Sequence, residues 1–367
     1  MVAVLILIPL IGIFGTATYV YFNGLIWQEP IIMFSGWWIA GMGITFGYHR
    51  LFAHRSFKAH PLVQFVAMLC GSAALQNTIL KWSSDHRNHH NNLDTEEDPY
   101  SITKGFFHAH IGWIFEDKPA KIKGVHDLEK NPIVMFQHKY YWPIGIGLSF
   151  ILPLAIGAFY GRPFGGLLWG GFLRVTLVHH FTFFINSLCH FVGKRPFEPE
   201  STARDTWWVA FLTFGEGFHN FHHKFQWDYR NGIRWYDFDP GKWAIKFLSF
   251  FKLTSDIRKV EEYIILKARF NGLKESVQLH YPKVPERVVI LYKKRVQEAQ
   301  NHAKQVYDKW HEVEKEFKLI RAEGFKDKFQ KVKLNQQRKM LKMEYSSVLN
   351  GLSVILMSIK SGNYIQP

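Results

Sequence analysis

Trp82–Tyr100, WSSDHRNHHNNLDTEEDPY, is the stretch from which the rest of the chain is best read. His86, His89 and His90 stand at i, i+3 and i+4, a spacing that brings three imidazoles onto one narrow face of a helix. The spacing returns as His219, His222 and His223 in GEGFHNFHHKF, and a wider pair, His49 and His54, lies in YHRLFAH. Three such groups, distant in one chain, predict a single metal site assembled by folding. Neutral imidazole suits iron, copper, nickel and zinc, whereas calcium and magnesium prefer oxygen ligands. These histidines outnumber the ligands that one ion of about four to six sites takes up, so two metal ions are expected. Soluble di-iron carboxylate proteins use glutamates and Glu-x-x-His pairs; neither helical box here begins that way, so the centre is expected to be histidine-rich. Asp85, Asp94, Glu96, Asp98 and Asp228 are placed to accept the second ring N–H and fix the tautomers from outside.

The composition excludes an ordinary soluble domain. Of 367 residues, 47% are hydrophobic and 17% aromatic, including 13 Trp and 33 Phe, and the apolar residues fall in long runs. Only Cys70 and Cys189 are present, so neither a disulfide framework nor a thiolate metal site is expected. The net charge of +15 suits a basic face against anionic headgroups, with nucleic acid the weaker reading.

Four membrane spans are expected, at about residues 2–22, 31–48, 141–160 and 164–187. The first has no basic segment before it and no evident cleavage site, which predicts an anchor. The segment from Pro61 to Leu80 is broken by Gln64, Ser72, Gln76 and Asn77 and is expected to lie buried or at the interface. The link between spans one and two lacks Lys and Arg, and that between three and four has only Arg162. The positive-inside rule therefore puts both termini and all three histidine groups on the cytoplasmic side. Arg174, inside the fourth span, is read as a structural hydrogen-bond donor or a snorkelling side chain.

HRLFAH, HRNHH and HNFHH, with GITFGYHRLFAHRSFKA, GFFHAHIGW, NSLCHFVGKRPF and ARDTWWVAFLTFGEGFHNFHHKFQWDYRNGIRW around them, resemble the membrane fatty-acyl desaturases, closest to the bacterial and cyanobacterial Δ9 enzymes and like animal stearoyl-CoA desaturase. The likeness runs from about Gly41 to Trp243. It implies an all-α membrane protein, four transmembrane helices under a cytosolic helical cap in a mushroom-like shape, a di-iron site and a tunnel for an acyl chain. A bacterial inner-membrane location is expected, with a catalytic domain over 1–260 followed, on composition and pattern, by a basic helical extension over 261–367.

The resemblance carries ligand roles to His49, His54, His86, His89, His90, His219, His222 and His223. It adds His190 in NSLCH as a ninth ligand and Asn186, one turn earlier, as a residue reaching a metal through water. Gln76 and Asn77 match positions near the substrate head, and His110 matches a supporting position outside the ligands. Trp82 and the fourth-span Phe181, Phe183 and Phe184 are expected tunnel walls, although ordinary packing explains them equally. Where the animal acyl-CoA enzymes carry phosphate-binding basic residues, this chain has Ser84 and, approximately, Glu116 and Asp117. The carrier is therefore open between coenzyme A, a glycerolipid and a carrier protein.

The implied reaction inserts a cis double bond using O2, two irons and two electrons per turnover. A haem-binding HPGG segment, a CxxC pattern and a GxGxxG are all missing from the sequence, so a separate donor of ferredoxin, rubredoxin or cytochrome b5 type is expected. An oligomer is compatible with this reading. Two other readings compete with this one. A membrane fatty-acid or alkane hydroxylase typically shows HxxxH and HxxxHH spacings, where this chain has HxxxxH and HxxHH. A histidine-rich metal transporter would place its ligands along the spans.

From Pro285 onward, Val289, Tyr292, Val296, Ala299, Ala303, Val306, Trp310, Val313, Phe317 and Ile320 form a heptad stripe that predicts a long amphipathic helix ending near Gly324. It reads either as a coiled coil or docking helix, or as a helix packed on the protein's own surface. The basic tail from Phe325 to Pro367 suits a membrane surface, but its sequence leaves the choice open.

Overall fold

The computed structural model describes residues 2–116, 122–322 and 328–364, which form two compact units of almost entirely helical structure. The first comprises Met1–Lys194 and Ser201–Lys259, the second Arg195–Glu200 and Val260–Pro367.

In the first unit, three helices are long and apolar enough to cross a bilayer: α1 (Leu5–Asn23), α2 (Gln28–Ala53) and α6 (Pro132–Phe159). Between them come α3 (Pro61–Ser72), α4 (Ile79–Asn91) and the short α5 (Phe106–His110). The expected fourth span falls within α7, unbroken helix over residues 163–191. Arg174, His179, His180 and Asn186 lower its apolarity, and α7 is not among the three helices of bilayer character. Large side chains such as Phe14, Phe34 and Ile151 stand exposed on α1, α2 and α6, as a lipid-facing surface requires.

The charges inside this apolar unit are each answered. Arg174 is buried and donates to the carbonyls of Gly170, Ala73 and Ser149, so it is a structural donor that ties α7 to two neighbouring segments. At one end of the helices Arg162 lies 3.1 Å from the fully buried Glu29 and bonds Tyr19 Oη and the Gly24 carbonyl. That clamp joins the α1–α2 link to the α6–α7 link, because an uncompensated buried carboxylate would be costly.

Close helix approach depends on small residues. A Cβ on Gly43 would sit 2.2 Å from the Gly71 nitrogen and one on Gly71 would sit 2.3 Å from the Tyr48 ring, so α2 and α3 meet backbone to backbone. The core around them contains Tyr48, Phe52, Met68, Ile79 and Val134. Beyond the membrane helices, α8 (Trp207–Leu212), α9 (His219–Lys224) and α10 (Pro240–Phe250) follow, and Lys58–Ala59 pairs antiparallel with Thr254–Ser255.

The second unit packs α11 (Glu262–Gln278), α12 (Glu286–Ala322) and α13 (Lys328–Ser361) together. Tyr292, Val296, Ala303, Val306 and Trp310 of the heptad stripe are buried with Phe270, Tyr345, Leu349 and Leu352. The stripe is thus spent on contacts within its own helical unit, so it is not a free docking face. Gly324 and residues 325–327 and 365–367 lie outside the described residues; most of the tail is the helix α13.

The glycine contact gives a direct test. Gly43→Ala should destabilise the protein by about 1–3 kcal/mol, the usual cost of overpacking a tight contact, seen as a lower midpoint of thermal unfolding in detergent; an unchanged midpoint would show that α2 and α3 part easily.

Candidate metal centre

Each histidine is held by an element whose local geometry explains its spacing. At the end of α2 the His54 N–H bonds the His49 carbonyl at 2.9 Å, an i→i+5 contact. This wide turn rotates residues five apart towards one side, and the two rings stand 4.7 Å apart. An ordinary α-helix would aim them apart, so the HxxxxH spacing belongs to the wide turn. His86, His89 and His90 lie on α4, whose first turn is capped by Thr78 Oγ1 accepting from the Lys81 N–H at 3.2 Å. The third group lies on α9, a helix of only six residues. Its start is fixed by Asp205 Oδ1, which accepts from Asn220 N–H at 2.8 Å and Phe221 N–H at 3.1 Å. His190 lies in the last turn of α7.

The nine histidines singled out in the sequence converge as two adjacent groups: His49, His54, His86, His90 and His222, and His89, His190, His219 and His223. Within each group the ligand-capable atoms lie within 4.8 Å of one another. The approaches run edge to edge through Nε2. The separations are 3.1 Å for His49–His222, 2.8 Å for His54–His86 and 3.0 Å for His90–His222. In the other group they are 3.0 Å for His190–His219, 3.0 Å for His219–His223 and 3.3 Å for His89–His223.

Do these residues fit metal ions? Nitrogens bound at about 2.1 Å and at right angles to each other stand about 3 Å apart, which is the spacing found. A neutral imidazole has one N–H, so three or more nitrogens converging on one point cannot all be satisfied by each other. Burial first, and then repulsion from neighbouring imidazoles, holds His54, His86, His90, His219, His222 and His223 well below their usual 6.5, in the neutral form that binds metal. On spacing, chemistry and protonation the set fits a pair of ions.

A layer of acceptors orients the rings. His89 Nδ1 is 2.8 Å from Asp98 Oδ1, and His190 Nδ1 is 2.7 Å from Thr202 Oγ1, which in turn bonds Asp94. His49 Nδ1 is 3.0 Å from Glu216 Oε1, a partner the sequence reading missed although it opens the GEGFHNFHH text. Burial alone would raise the Glu216 carboxyl, but His49, Arg50 and the Thr45 hydroxyl together bring it to about 2. Arg50, fully buried beside His49, spans Glu216 at 3.4 Å, Asp239 at 2.7 Å and the Tyr229 carbonyl at 3.0 Å. The first histidine group is thereby bolted to the segment carrying the third. Thr202 and Asp205 were also missed; Asp205 lies in the ARDTWW text, whereas Thr202 carries no sequence signal.

Four expected supporting residues are engaged elsewhere. Glu96 lies at the surface, 3.4 Å from Lys104 Nζ. Asp85 binds Lys81 Nζ one helical turn back, because the i, i+4 ammonium lies closer than any imidazole edge. Asp228 grips the Arg230 guanidinium. His110 lies 3.0 Å from Ser187 Oγ and 3.1 Å from His180 Nδ1 and packs on Phe184, away from both groups.

Beside the histidines lies a cavity of about 1070 Å³. Its lining includes His49, His86, His89 and His219 as well as apolar Ile8, Ile44, Leu75, Phe183 and Ile185. Trp82 lines it too and stacks on His86 with ring centroids 4.8 Å apart. Gln76 Nε2 donates to Thr182 Oγ1 at 2.8 Å and the Asn77 N–H to Tyr141 Oη at 2.8 Å, both at the lining. Asn186 faces the same space. Ser84 bonds the Lys123 backbone at 2.9 Å and Glu116 lies 3.1 Å from His108 Nδ1, while Asp117 lies outside the described residues.

Bilayer-length helices with a buried double cluster of imidazoles beside a largely apolar cavity define a class of protein before any comparison. Residues 3–246 match the family described as fatty acid desaturase, and the chain belongs to that family. It is 41% identical over 266 residues to a probable acyl-CoA desaturase of Schizosaccharomyces pombe, covering 71% of this chain and 54% of the relative. It is 40% identical to acyl-CoA desaturase 1 of Saccharomyces cerevisiae, covering 69% and 51%. It is 39% identical to an sn-1 stearoyl-lipid 9-desaturase of Synechocystis, covering 59% and 68%. The chain thus spans about half the length of the two fungal relatives.

Removing the buried acceptors should loosen metal binding without emptying the site. Glu216→Ala and Asp98→Ala should each weaken metal retention roughly 10–100-fold, the usual effect of losing a carboxylate partner behind a ligating imidazole. Metal per chain during titration with a chelator measures this; retention equal to the parent would show that these carboxylates do not orient the rings.

Proposed function

We propose that this protein is an O2-dependent fatty-acyl desaturase that inserts a cis double bond, at the Δ9 position, into a saturated chain carried on coenzyme A or on a glycerolipid. The observation that carries the proposal is the meeting of five and four imidazoles beside a cavity whose wall is partly apolar. His49, His54, His86, His90 and His222 would hold one iron. His89, His190, His219 and His223 would hold the other, with Asn186 completing the smaller set through water. Bound there, the iron pair supplies activation of O2 and the oxidising power to take hydrogen from an unactivated methylene, which no side chain provides.

The protein's own residues do the positioning. Trp82, stacked on His86, and Phe183 form cavity wall against which an acyl chain lies. Gln76 and Asn77 contribute polar groups at the same lining. Equivalent methylenes differ only in their distance from the head group, so regioselectivity comes from where the head is held. The balance requires two hydrogen atoms, that is two protons with their two electrons, from the chain, and two further electrons and two protons from outside, to convert O2 into two waters. A separate donor protein of ferredoxin, rubredoxin or cytochrome b5 type would deliver those electrons. The names of the relatives support both carriers, acyl-CoA for the fungal proteins and stearoyl-lipid for the cyanobacterial one.

The membrane reading rests on α1, α2 and α6, with α7 as a fourth span whose polar residues face the protein interior. The histidines would stand at the cytoplasmic end under a helical cap, within a catalytic unit ending near residue 260. Residues 261–367 would be an appended helical unit.

Expression in a host lacking its own desaturase, followed by mass spectrometry of the lipids, tests this. Acyl chains lighter by two hydrogens are expected, and His86→Ala or His222→Ala should abolish them while leaving the protein in the membrane. Products heavier by one oxygen would indicate hydroxylation, and normal turnover by either variant would remove the histidines from the chemistry. Feeding purified enzyme acyl-CoA against acyl-glycerolipid separates the carriers.

A further inference from the structure

Helix α13 has two apolar faces. Tyr345, Leu349, Leu352 and Ile355 are buried against the rest of its unit, and Leu334 on the same side is buried too. Val332, Met340, Met343, Val354 and Met357 are instead 52–69% exposed. At about 100° per residue these five fall within an arc of about 100°, opposite the buried face. A helix that is apolar on the side turned away from its own core is missing a partner.

The charges around this second face choose the partner. The same arc also holds Gln336, Ser347 and Asn350; Lys339 lies at one edge of it beside Met357, Lys333 borders the other edge and Lys360 stands near the helix end, and all three lysines are exposed and make no ion pair among the described residues. Arg338 and Lys342 are already paired within the unit, with Glu314 and Glu262. Glu344, the one acidic residue of α13, is taken by His302. A convex strip of methionine and valine edged by lysines is the pattern of a helix lying in the plane of an anionic bilayer surface. The same chain carries bilayer-length helices, so such a surface is within reach of every molecule.

We propose that α13 is an interfacial helix, seated by Val332, Met340, Met343, Val354 and Met357 in the headgroup boundary of an anionic leaflet, with Lys333, Lys339 and Lys360 reading the lipid charge. It lies outside residues 3–246, which match the family, so it would be a device of this chain's own extension. Such a helix would hold the second unit at the membrane on which the substrate resides. The proposal rests on the membrane reading above, but the two fail separately: flotation of the full-length protein with vesicles reports embedding, whatever α13 does.

The test uses full-length Met343→Cys protein bearing a nitroxide, reconstituted into phosphatidylcholine vesicles with or without phosphatidylglycerol, with labelled parent protein setting the background from Cys70 and Cys189. A label at Glu312→Cys serves as the water-facing control. Phosphatidylglycerol should lower collisions of the 343 label with a water-soluble nickel complex roughly tenfold while oxygen collisions persist. Lys333→Glu with Lys339→Glu and Lys360→Glu should cancel the change. Nickel accessibility that is the same on both lipids overturns the proposal. If it is high, the face is simply hydrated; if it is low, spin–spin broadening identifies a second copy as the occupant and its absence a different protein contact.

Discussion

The centre depends on a constraint of hydrogen bonding. Imidazole nitrogens brought edge to edge at about 3 Å in a dry interior cannot satisfy one another, and an unsatisfied buried polar atom is expensive. Only a group that accepts many lone pairs at once resolves that arrangement. The fold supports the arrangement from outside with Asp98, Glu216 and Thr202, each at a ring's other nitrogen. The rings are therefore aimed before any ligand arrives, and little reorganisation remains.

Holding such a cluster rigid requires that separate helices be fixed to one another. Arg50 does most of this, since its guanidinium joins the end of α2 to Glu216, Asp239 and Tyr229 around the third histidine group. Asp205 fixes the start of α9. Within the apolar layer, Arg174 and the Arg162–Glu29 pair do similar work, each charge being met because lipid offers no alternative partner. The small residues Gly43 and Gly71 then let α2 and α3 close up, which seats the Tyr48 ring against Gly71, next to His49.

The cavity and the cluster share walls. Trp82 belongs to both, stacking on His86 while lining the open space. A group that stacks on a ring of the cluster and also bounds the cavity couples the shape of that space to the position of the histidines. The second helical unit answers to different physics: its heptad stripe is spent on an internal core, and the face left over is the one edged with lysine.

Local pattern alone marked the two helical histidine groups, because i, i+3, i+4 spacing is a property of one helix, and three apolar runs, because bilayer length is a property of one segment. The same kind of pattern marked α12. Asp98 could be picked out because it follows its histidine closely in the chain. Asp85 and Asp228 misled, since proximity in sequence cannot say whether Lys81 or Arg230 will take the carboxylate first. Glu216, Thr202, Arg50 and the division of the nine rings into five and four were decided by tertiary structure. Each depends on contacts between segments tens to hundreds of residues apart, and no spacing rule encodes which atoms meet across such a distance. The wide turn at His49–His54 lies between the two cases: its residues are local, but packing selects its i→i+5 geometry over the ordinary helix that the sequence would also allow.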